Sequence, residues 1–371
     1  MIKPIRVLCV FSTLDRGGAE TMCMNLYRKI DRSKVQFDFV KHTDAIGAYE
    51  DEITKMGGKV FNAPKLQLSQ YVKYVQWWKK HFIGHPEHII VHIHFFTITG
   101  AIVPIAHKMH RTVIGHSHGN TNIAGIKQAV RMLFLRMGSA QVDYAFACSN
   151  AAGHYMYGNG EFIVLNNAID TREYEYDVRV RETIRKKFGI NNEILIGHVG
   201  NFSYVKNHRF LFDIFSVIKE RKTNVKLMLV GDGSLHDELE KQAKKQGIFD
   251  DIIFTGARSD VNELVQAMDF FVFPSLYEGL GIVLIEAQAS GLSCVMSDKV
   301  PNEAIVTDDL VTVMSLEQSA EEWADHILSR LGEERCGRAD EVKKHGYDIV
   351  DIANWLEEFY LSIDKDKNKF E

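Results

Sequence analysis

Two glutamates, Glu278 and Glu286, stand in the run FPSLYEGLGIVLIEA, which opens at Phe273. An apolar stretch ends at Phe273, a loop carrying Gly279 and Gly281 follows, and the periodicity predicts a helix over 281–290. The first N–H groups of such a helix have no carbonyl partner, so they can cradle a diphosphate, and glycine lets it approach closely. Glu278 falls in the loop before the helix and Glu286 in its second turn. An ionised carboxylate only accepts hydrogen bonds, so Glu286 could take two hydroxyl donors, as from a ribose. The same pattern also suits a solvated glutamate and an ordinary capped helix, and alone it leaves both readings open.

Histidine is the other residue type able to do chemistry here. His92 and His94, and again His116 and His118, are spaced by two, so each pair shares one face of a strand. Such pairs can ligate metal, yet no carboxylate or cysteine stands beside them in sequence, and a buried, hydrogen-bonded His92 is the plainer expectation. An Asp-x-Asp able to carry a sugar-bound metal occurs only at Asp364 and Asp366, in a charged tail. The expectation is therefore no bound metal and no cofactor. Five cysteines (Cys9, Cys23, Cys148, Cys294 and Cys336) are scattered without a CxxC pair, which argues for a reducing compartment and against a disulfide framework.

Elements that could position these groups recur along the chain. A length of 371 residues predicts two domains, and 46% hydrophobic with 25% charged residues is an ordinary globular balance. Short apolar runs at 5–11, 35–40, 88–95, 112–116, 144–148 and 162–165 read as buried parallel strands with helices between them. A second round follows, with strands at 194–199, 225–230, 251–254, 270–273 and 293–297 and helices at 207–221, 234–246 and 261–267. The charged stretch 170–192 reads as a connector, and 347–363 as a final amphipathic helix. The fold class is α/β: two Rossmann-like domains facing across a cleft, with ligands beyond the carboxyl ends of the strands. Residues 1–170 carry 19 Lys+Arg against 12 Asp+Glu, and the remainder 25 against 37. One half is basic and the other acidic, so the halves are expected to do different work. No nucleic-acid motif accompanies the basic half. No apolar run is long enough for a bilayer and no signal peptide opens the chain, so a cytoplasmic protein is expected.

The chain resembles the family-4 retaining glycosyltransferases of the GT-B fold. Their E-x7-E signature is Glu278 to Glu286, within EGLGIVLIEAQASGL. Other blocks fall in the family's order: Gly17-Gly18-Ala19-Glu20, His116-Ser117-His118, Asn166-Asn167-Ala168-Ile169-Asp170, Val199-Gly200-Asn201 with Lys206, Gly231-Asp232-Gly233, and Phe254 to Arg258. The resemblance implies an N-terminal acceptor-side domain over 1–170, joined by a returning C-terminal helix at about 350–371, and a donor-binding domain over 171–349. It also implies roles. Gly17 and Gly18 would bring amides against the donor phosphates or the acceptor. Lys206 would neutralise the donor diphosphate, with the amides of Leu280 and Gly281 assisting. Glu286 would bind the ribose and Glu278 the sugar or adjoining phosphate; Ala257 and Arg258 would frame the nucleobase. His116 would hydrogen-bond the transferred sugar, making His116, Glu278 and Lys206 the expected catalytic set, with Asn201, Gly231 and Gly279 completing the donor site.

The implied reaction moves a hexosyl or N-acetylhexosaminyl group from a nucleoside-diphosphate sugar, uridine first, to a glycan or lipid-linked glycan, with retention and without metal. Rival readings are a nucleotide-sugar epimerase and a non-catalytic sugar-nucleotide-binding protein. The latter draws on one departure: Asn201 stands where the family usually has Arg, and an amide cannot supply that charge unless Arg258 or Arg209 compensates. Two aromatic-basic stretches of the basic half, 71–80 and 126–137, are candidates for peripheral contact with the cytoplasmic membrane, against the plainer reading of core-facing helices with snorkelling lysines.

Overall fold

The computed structural model describes residues 3–94, 98–118 and 138–367; the stretch 126–137 lies outside them. The chain divides into two compact units, Met1–Ala168 with Ile349–Glu371, and Ile169–Asp348. Each is built on its own parallel sheet.

The first unit holds seven parallel strands in the order β3-β2-β1-β4-β5-β6-β7. They are β1 Ile5–Val10, β2 Val35–Lys41, β3 Val60–Asn62, β4 Ile90–Ile93, β5 Thr112–Ser117, β6 Tyr144–Ala147 and β7 Ile163–Val164. Between them run α1 Gly18–Lys29, α2 Glu50–Lys55, α3 Tyr71–Gly84, α4 Thr99–Lys108 and α5 Asn150–Tyr157. Every residue of β2 is buried, Asp38 and Lys41 included. Burial of a charge needs partners. Asp38 has them: the Arg6 guanidinium, the Lys59 amide at 2.7 Å and His88 Nε2 at 2.8 Å. Lys41 donates to Glu50 Oε1 at 2.5 Å. The C-terminal helix Ile349–Lys367 closes the core of this unit, packing Ile349, Ala353, Leu356 and Tyr360 with Val7, Phe37 and Leu26. No helix among the described residues is long and apolar enough to cross a membrane.

Helix α3 sets most of its aromatic residues inward, Tyr71 staying exposed. Tyr74, Trp78 and Phe82, spaced by four, fill the core beside Ile102 and Val91, while Val72 and Ile83 stay exposed with the lysines of the stretch. The aromatic content of 71–80 is thus largely core packing, leaving a lysine-bearing outer face.

The second unit has six parallel strands in the order β10-β9-β8-β11-β12-β13. They are β8 Ile194–Val199, β9 Val225–Val230, β10 Ile252–Phe254, β11 Phe270–Phe273, β12 Cys294–Ser297 and β13 Val311–Met314. Its helices are α6 Val178–Lys187, α7 His208–Arg221, α8 His236–Gln246, α9 Val261–Ala267, α10 Ile282–Ala289, α11 Ala320–Arg330 and α12 Ala339–Val342. The stretch expected as a connector belongs to this unit and contains α6. Two of its charges are used rather than solvated: Arg181 and Arg185 donate to the Ala267 carbonyl at the end of α9 and pair with Asp269. The chain enters and leaves the unit side by side, Ile169 bridging Asp348 and the Thr171 hydroxyl donating to the Asp348 carboxylate at 2.5 Å.

Candidate functional site

Three neighbouring strands of the second unit, β8, β9 and β10, run out into Gly200, Gly231 and Gly256. Gly231 holds φ +147°, and a Cβ there would lie 2.0 Å from the Gly200 carbonyl oxygen, so no side chain fits. The Gly231 amide bonds the Gly256 carbonyl at 3.0 Å. Gly233 is pressed as closely on the Phe202 backbone, where a Cβ would meet the carbonyl oxygen at 2.6 Å. These contacts draw the loops carrying Asn201, Asp232 and Ala257-Arg258 together at the carboxyl edge of the sheet, where ligands of open α/β sheets bind.

The loop after β11 is fastened to the loop after β8. The Leu276 amide donates to the Val205 carbonyl at 2.8 Å, and Asn207 Nδ2 to the Pro274 carbonyl at 3.1 Å. Asn207 pays for this position with a left-handed backbone (φ 54°, ψ 42°), which asparagine tolerates better than most residues. Lys206 and Glu278 are thereby brought together, Nζ donating to Oε1 at 2.7 Å, with both side chains mostly buried. The Lys206 ammonium also sits 4.6 Å from the Phe273 ring centroid. Beneath it, His198 donates from Nδ1 to the Val272 carbonyl, and His208 meets the His198 ring edge-on at 4.8 Å. Burial, with Lys206 adding to it, holds both imidazoles below the usual histidine range, so they are neutral.

Helix α10 starts from Gly281, at φ +87° and ψ 52°, with a Cβ position 3.1 Å from the Phe273 ring. Glycine is required there by backbone and space alike. Of the first-turn amides, that of Leu284 bonds the Gly281 carbonyl at 2.9 Å, while helix geometry gives the amides before it no intrahelical acceptor. Leu280 is buried just before it. Glu286 lies in the second turn, partly buried, and removal from water raises its carboxyl to about 7, against a hydrogen bond from the Tyr174 hydroxyl that lowers it. Tyr174, in the short turn Thr171–Tyr174, is fixed in turn by Ser290 Oγ donating to its carbonyl at 2.8 Å.

Gln288, two residues beyond Glu286, is fully buried. Its Nε2 donates to the Leu284 and Ala304 carbonyls, and its Oε1 accepts from the Val306 and Thr307 amides and the Thr307 hydroxyl. It ties α10 to the loop before β13. Neither Tyr174 nor Gln288 was singled out from sequence; a polar residue on an otherwise apolar helix face was the available signal for Gln288.

The two arginines able to offset Asn201 are both engaged. Arg258 forms a bidentate pair with Asp260, Nε to Oδ1 at 2.7 Å, and Arg209 pairs with Glu238 on the exposed side of α7. Asn201 itself is exposed, accepting from Ser203 Oγ at 2.9 Å.

In the first unit, Gly17 caps α1 and Gly18 opens it, with φ negative at the cap and nothing within 4 Å of a Cβ at Gly18. The fold alone does not require glycine at 18. His116 is fully buried on β5, and neither ring nitrogen has a partner among the described residues. Its ring stacks on His118 at 4.1 Å, and burial keeps it well below the usual range. His92 is hydrogen-bonded, Nδ1 to the Tyr360 hydroxyl at 2.6 Å. Donor atoms of His92, His94 and His116 gather within 4.8 Å, as do those of Cys9, Cys23 and His94. The His92 and His94 rings, however, stack at 4.2 Å and 27°, and nearly parallel rings do not aim their in-plane lone pairs at one point.

The model of Glycosyl transferases group 1 matches residues 180–348, and that of Glycosyltransferase Family 4 matches 16–173. The putative glycosyltransferase EpsF of Bacillus subtilis is 35% identical, over 98% of this chain and 98% of its own. The capsular polysaccharide biosynthesis glycosyltransferase CapH of Staphylococcus aureus is 23% identical, over 96% and 99%. Among solved structures, Anabaena HepE in complex with UDP and glucose superposes with a TM-score of 0.77 at 19% identity, over 96% of this chain and 100% of that one. The chain belongs to the family-4 glycosyltransferases, and its two parallel-sheet α/β units are those of the GT-B fold.

Proposed function

We propose that this glycosyltransferase moves a hexosyl or N-acetylhexosaminyl group from a nucleoside-diphosphate sugar, a UDP-sugar first, to a hydroxyl of a glycan or lipid-linked glycan in cell-surface polysaccharide synthesis. The observation that carries the reading is the meeting of Lys206 with Glu278 beside a glycine-started helix that carries Glu286. The CapH name and the UDP and glucose held by HepE support the pathway and the donor class.

In this reading Lys206 and the Leu280 and Gly281 amides hold the diphosphate, Glu286 takes the ribose hydroxyls, and Ala257-Arg258 borders the base. Gly231 and Gly279 let the backbone approach, and Asn201 contributes an amide where a second cation would otherwise act. In the first unit, Gly18 offers an amide, the Gly17 amide being bonded to the Asp15 carbonyl at 2.8 Å, and the unpartnered His116 nitrogens are fully buried and reach a sugar hydroxyl only if the end of β5 opens. The bond from the anomeric carbon to the diphosphate oxygen breaks while the acceptor oxygen bonds the same face. The acceptor proton passes to the departing phosphate, so configuration is retained and no metal or cofactor enters. Stabilising the departing charge and positioning the partners supply the rate. The enzyme works in the cytoplasm, the lysine-bearing face of α3 touching the membrane peripherally.

The test is transfer itself: UDP release from UDP-sugars with candidate acceptors, and the anomeric configuration of the product by NMR. Normal nucleotide binding with neither transfer nor hydrolysis would favour the second reading, a non-catalytic sugar-nucleotide-binding protein. The engagement of Arg258 with Asp260 and Arg209 with Glu238 is what speaks for it.

A further inference from the structure

The first unit has a pocket of its own. It encloses about 410 Å³ and is lined by Ser12, Thr13, His42, Thr43, Lys65, Leu66 and Ile98. That volume lies within the range of small-ligand sites, about 300–1,000 Å³. Its lining comes from the carboxyl ends of four adjacent strands: Ser12 and Thr13 follow β1, His42 and Thr43 follow β2, Lys65 and Leu66 follow β3, and Ile98 follows β4. The connections from β1 and β4 leave in opposite directions across the sheet, and such a reversal point is where open α/β sheets bind ligands.

The lining has a definite chemistry. Ser12, Thr13 and Thr43 offer hydroxyls, while Leu66 and Ile98 offer apolar flanks, the combination a sugar ring needs for its rim and its faces. His42 is a neutral wall: Nδ1 donates to the Phe11 carbonyl at 2.9 Å, Nε2 meets the Tyr74 hydroxyl at 3.1 Å, and burial lowers its pKa. Glu20 lies behind Thr13, accepting from its hydroxyl at 3.4 Å, and is not in the lining. Lys65 is then the single charge of the lining, and among the described residues it forms no ion pair.

We propose that this pocket is the subsite for an acceptor sugar bearing a negative charge, a uronate or a sugar phosphate, with Lys65 selecting for that charge. The inference rests on the transferase reading for its biological sense, since it places the acceptor in the unit that does not hold the donor site.

The experiment measures binding of methyl glucuronide, glucose 1-phosphate and methyl glucoside to the full chain by saturation-transfer NMR, for wild type and Lys65→Gln. Wild type is expected to prefer one or both anionic sugars over the glucoside by about fivefold, the scale of one exposed ion pair, and Lys65→Gln to lose that preference. A preference for the glucuronide alone assigns a uronate, and for the phosphate alone a sugar phosphate. Equal binding of the three, binding of none, or a preference that survives Lys65→Gln overturns the proposal. UDP is titrated in parallel. Its binding reports on the donor site, so failure of the transferase reading, seen as no UDP binding, is distinguished from failure here. An unchanged melting temperature for Lys65→Gln, an exposed position, shows that the fold is intact.

Discussion

Lys206 and Glu278 neutralise one another across 2.7 Å, 72 residues apart in the chain and both mostly shielded from water. A cation already paired must exchange partners when a diphosphate arrives. Lys206→Ala is expected to weaken UDP binding by tenfold or more, about 1.4 kcal/mol, because a charge-assisted bond to phosphate is lost. Glu278→Gln should leave UDP binding equal or tighter, since Lys206 is released, while transfer falls. Calorimetric titration with UDP beside a turnover assay separates the two. Loss of UDP binding in Glu278→Gln would show that the pairing positions Lys206 rather than competing for it.

Glu286 sets a pH dependence in binding. Ribose hydroxyls donate to the carboxylate form, and the carboxyl titrates near 7 in the free protein. UDP affinity should therefore weaken from pH 8 to pH 6, by up to about tenfold, one pH unit below that pKa. Glu286→Gln should bind weakly and show a flat profile over this range. Titrations at three pH values test it, and a flat wild-type profile would remove Glu286 from ribose recognition.

The same group sets a pH dependence in stability, of opposite usefulness. Its folded pKa is raised, so the native state holds the proton more tightly than the unfolded chain. The contribution to stability therefore falls as pH rises from the unfolded value, about 4.3, to about 7. Glu286→Gln should stabilise the protein at pH 8 by as much as about 3 kcal/mol and little at pH 5. Urea unfolding at the two pH values measures the difference.

Asp38 acts in the other direction. Hydrogen bonds from His88, Arg6 and the Lys59 amide hold its carboxyl well below the usual range despite the cost of burial. The stability this gives is present above the unfolded pKa, about 3.9, and is lost as pH falls below it. Asp38→Ala leaves His88 and the Arg6 guanidinium facing a vacated carboxylate site and should cost about 3 kcal/mol or more, read from denaturant midpoints at pH 7.

Gln288→Leu keeps the volume but strips the Val306 and Thr307 amides of their acceptor. An expected loss of about 2–4 kcal/mol, seen as a lower melting temperature, follows from the buried groups left unsatisfied.

Legibility in the sequence tracked how each residue is used. Strands such as Val225–Val230 and Phe270–Phe273 announce themselves because both faces of a parallel sheet are buried and the run is apolar throughout. The edge strand Val60–Asn62 escaped notice, being three residues long and half exposed. Helix α6 was hidden in a charged stretch because Arg181 and Arg185 spend their charge on carbonyls and Asp269 rather than on water. Strand Val311–Met314 and helix Ala320–Arg330 were not read either. The glutamates, Gly281 and Lys206 were legible as a family pattern. The Lys206–Glu278 pair, the Tyr174 hydroxyl on Glu286 and the occupation of Arg258 by Asp260 depend on loops brought together in space, which spacing along the chain does not express.

Donor binding by the second unit is proposed to run through Glu286. The most direct measurement is a calorimetric titration of UDP into the full chain and into Glu286→Ala, with melting temperatures recorded for both. Saturable one-to-one binding to the wild type, weakened by tenfold or more in a variant that still melts cooperatively, is the predicted result. No binding to the wild type, or equal binding by a folded Glu286→Ala, would contradict it.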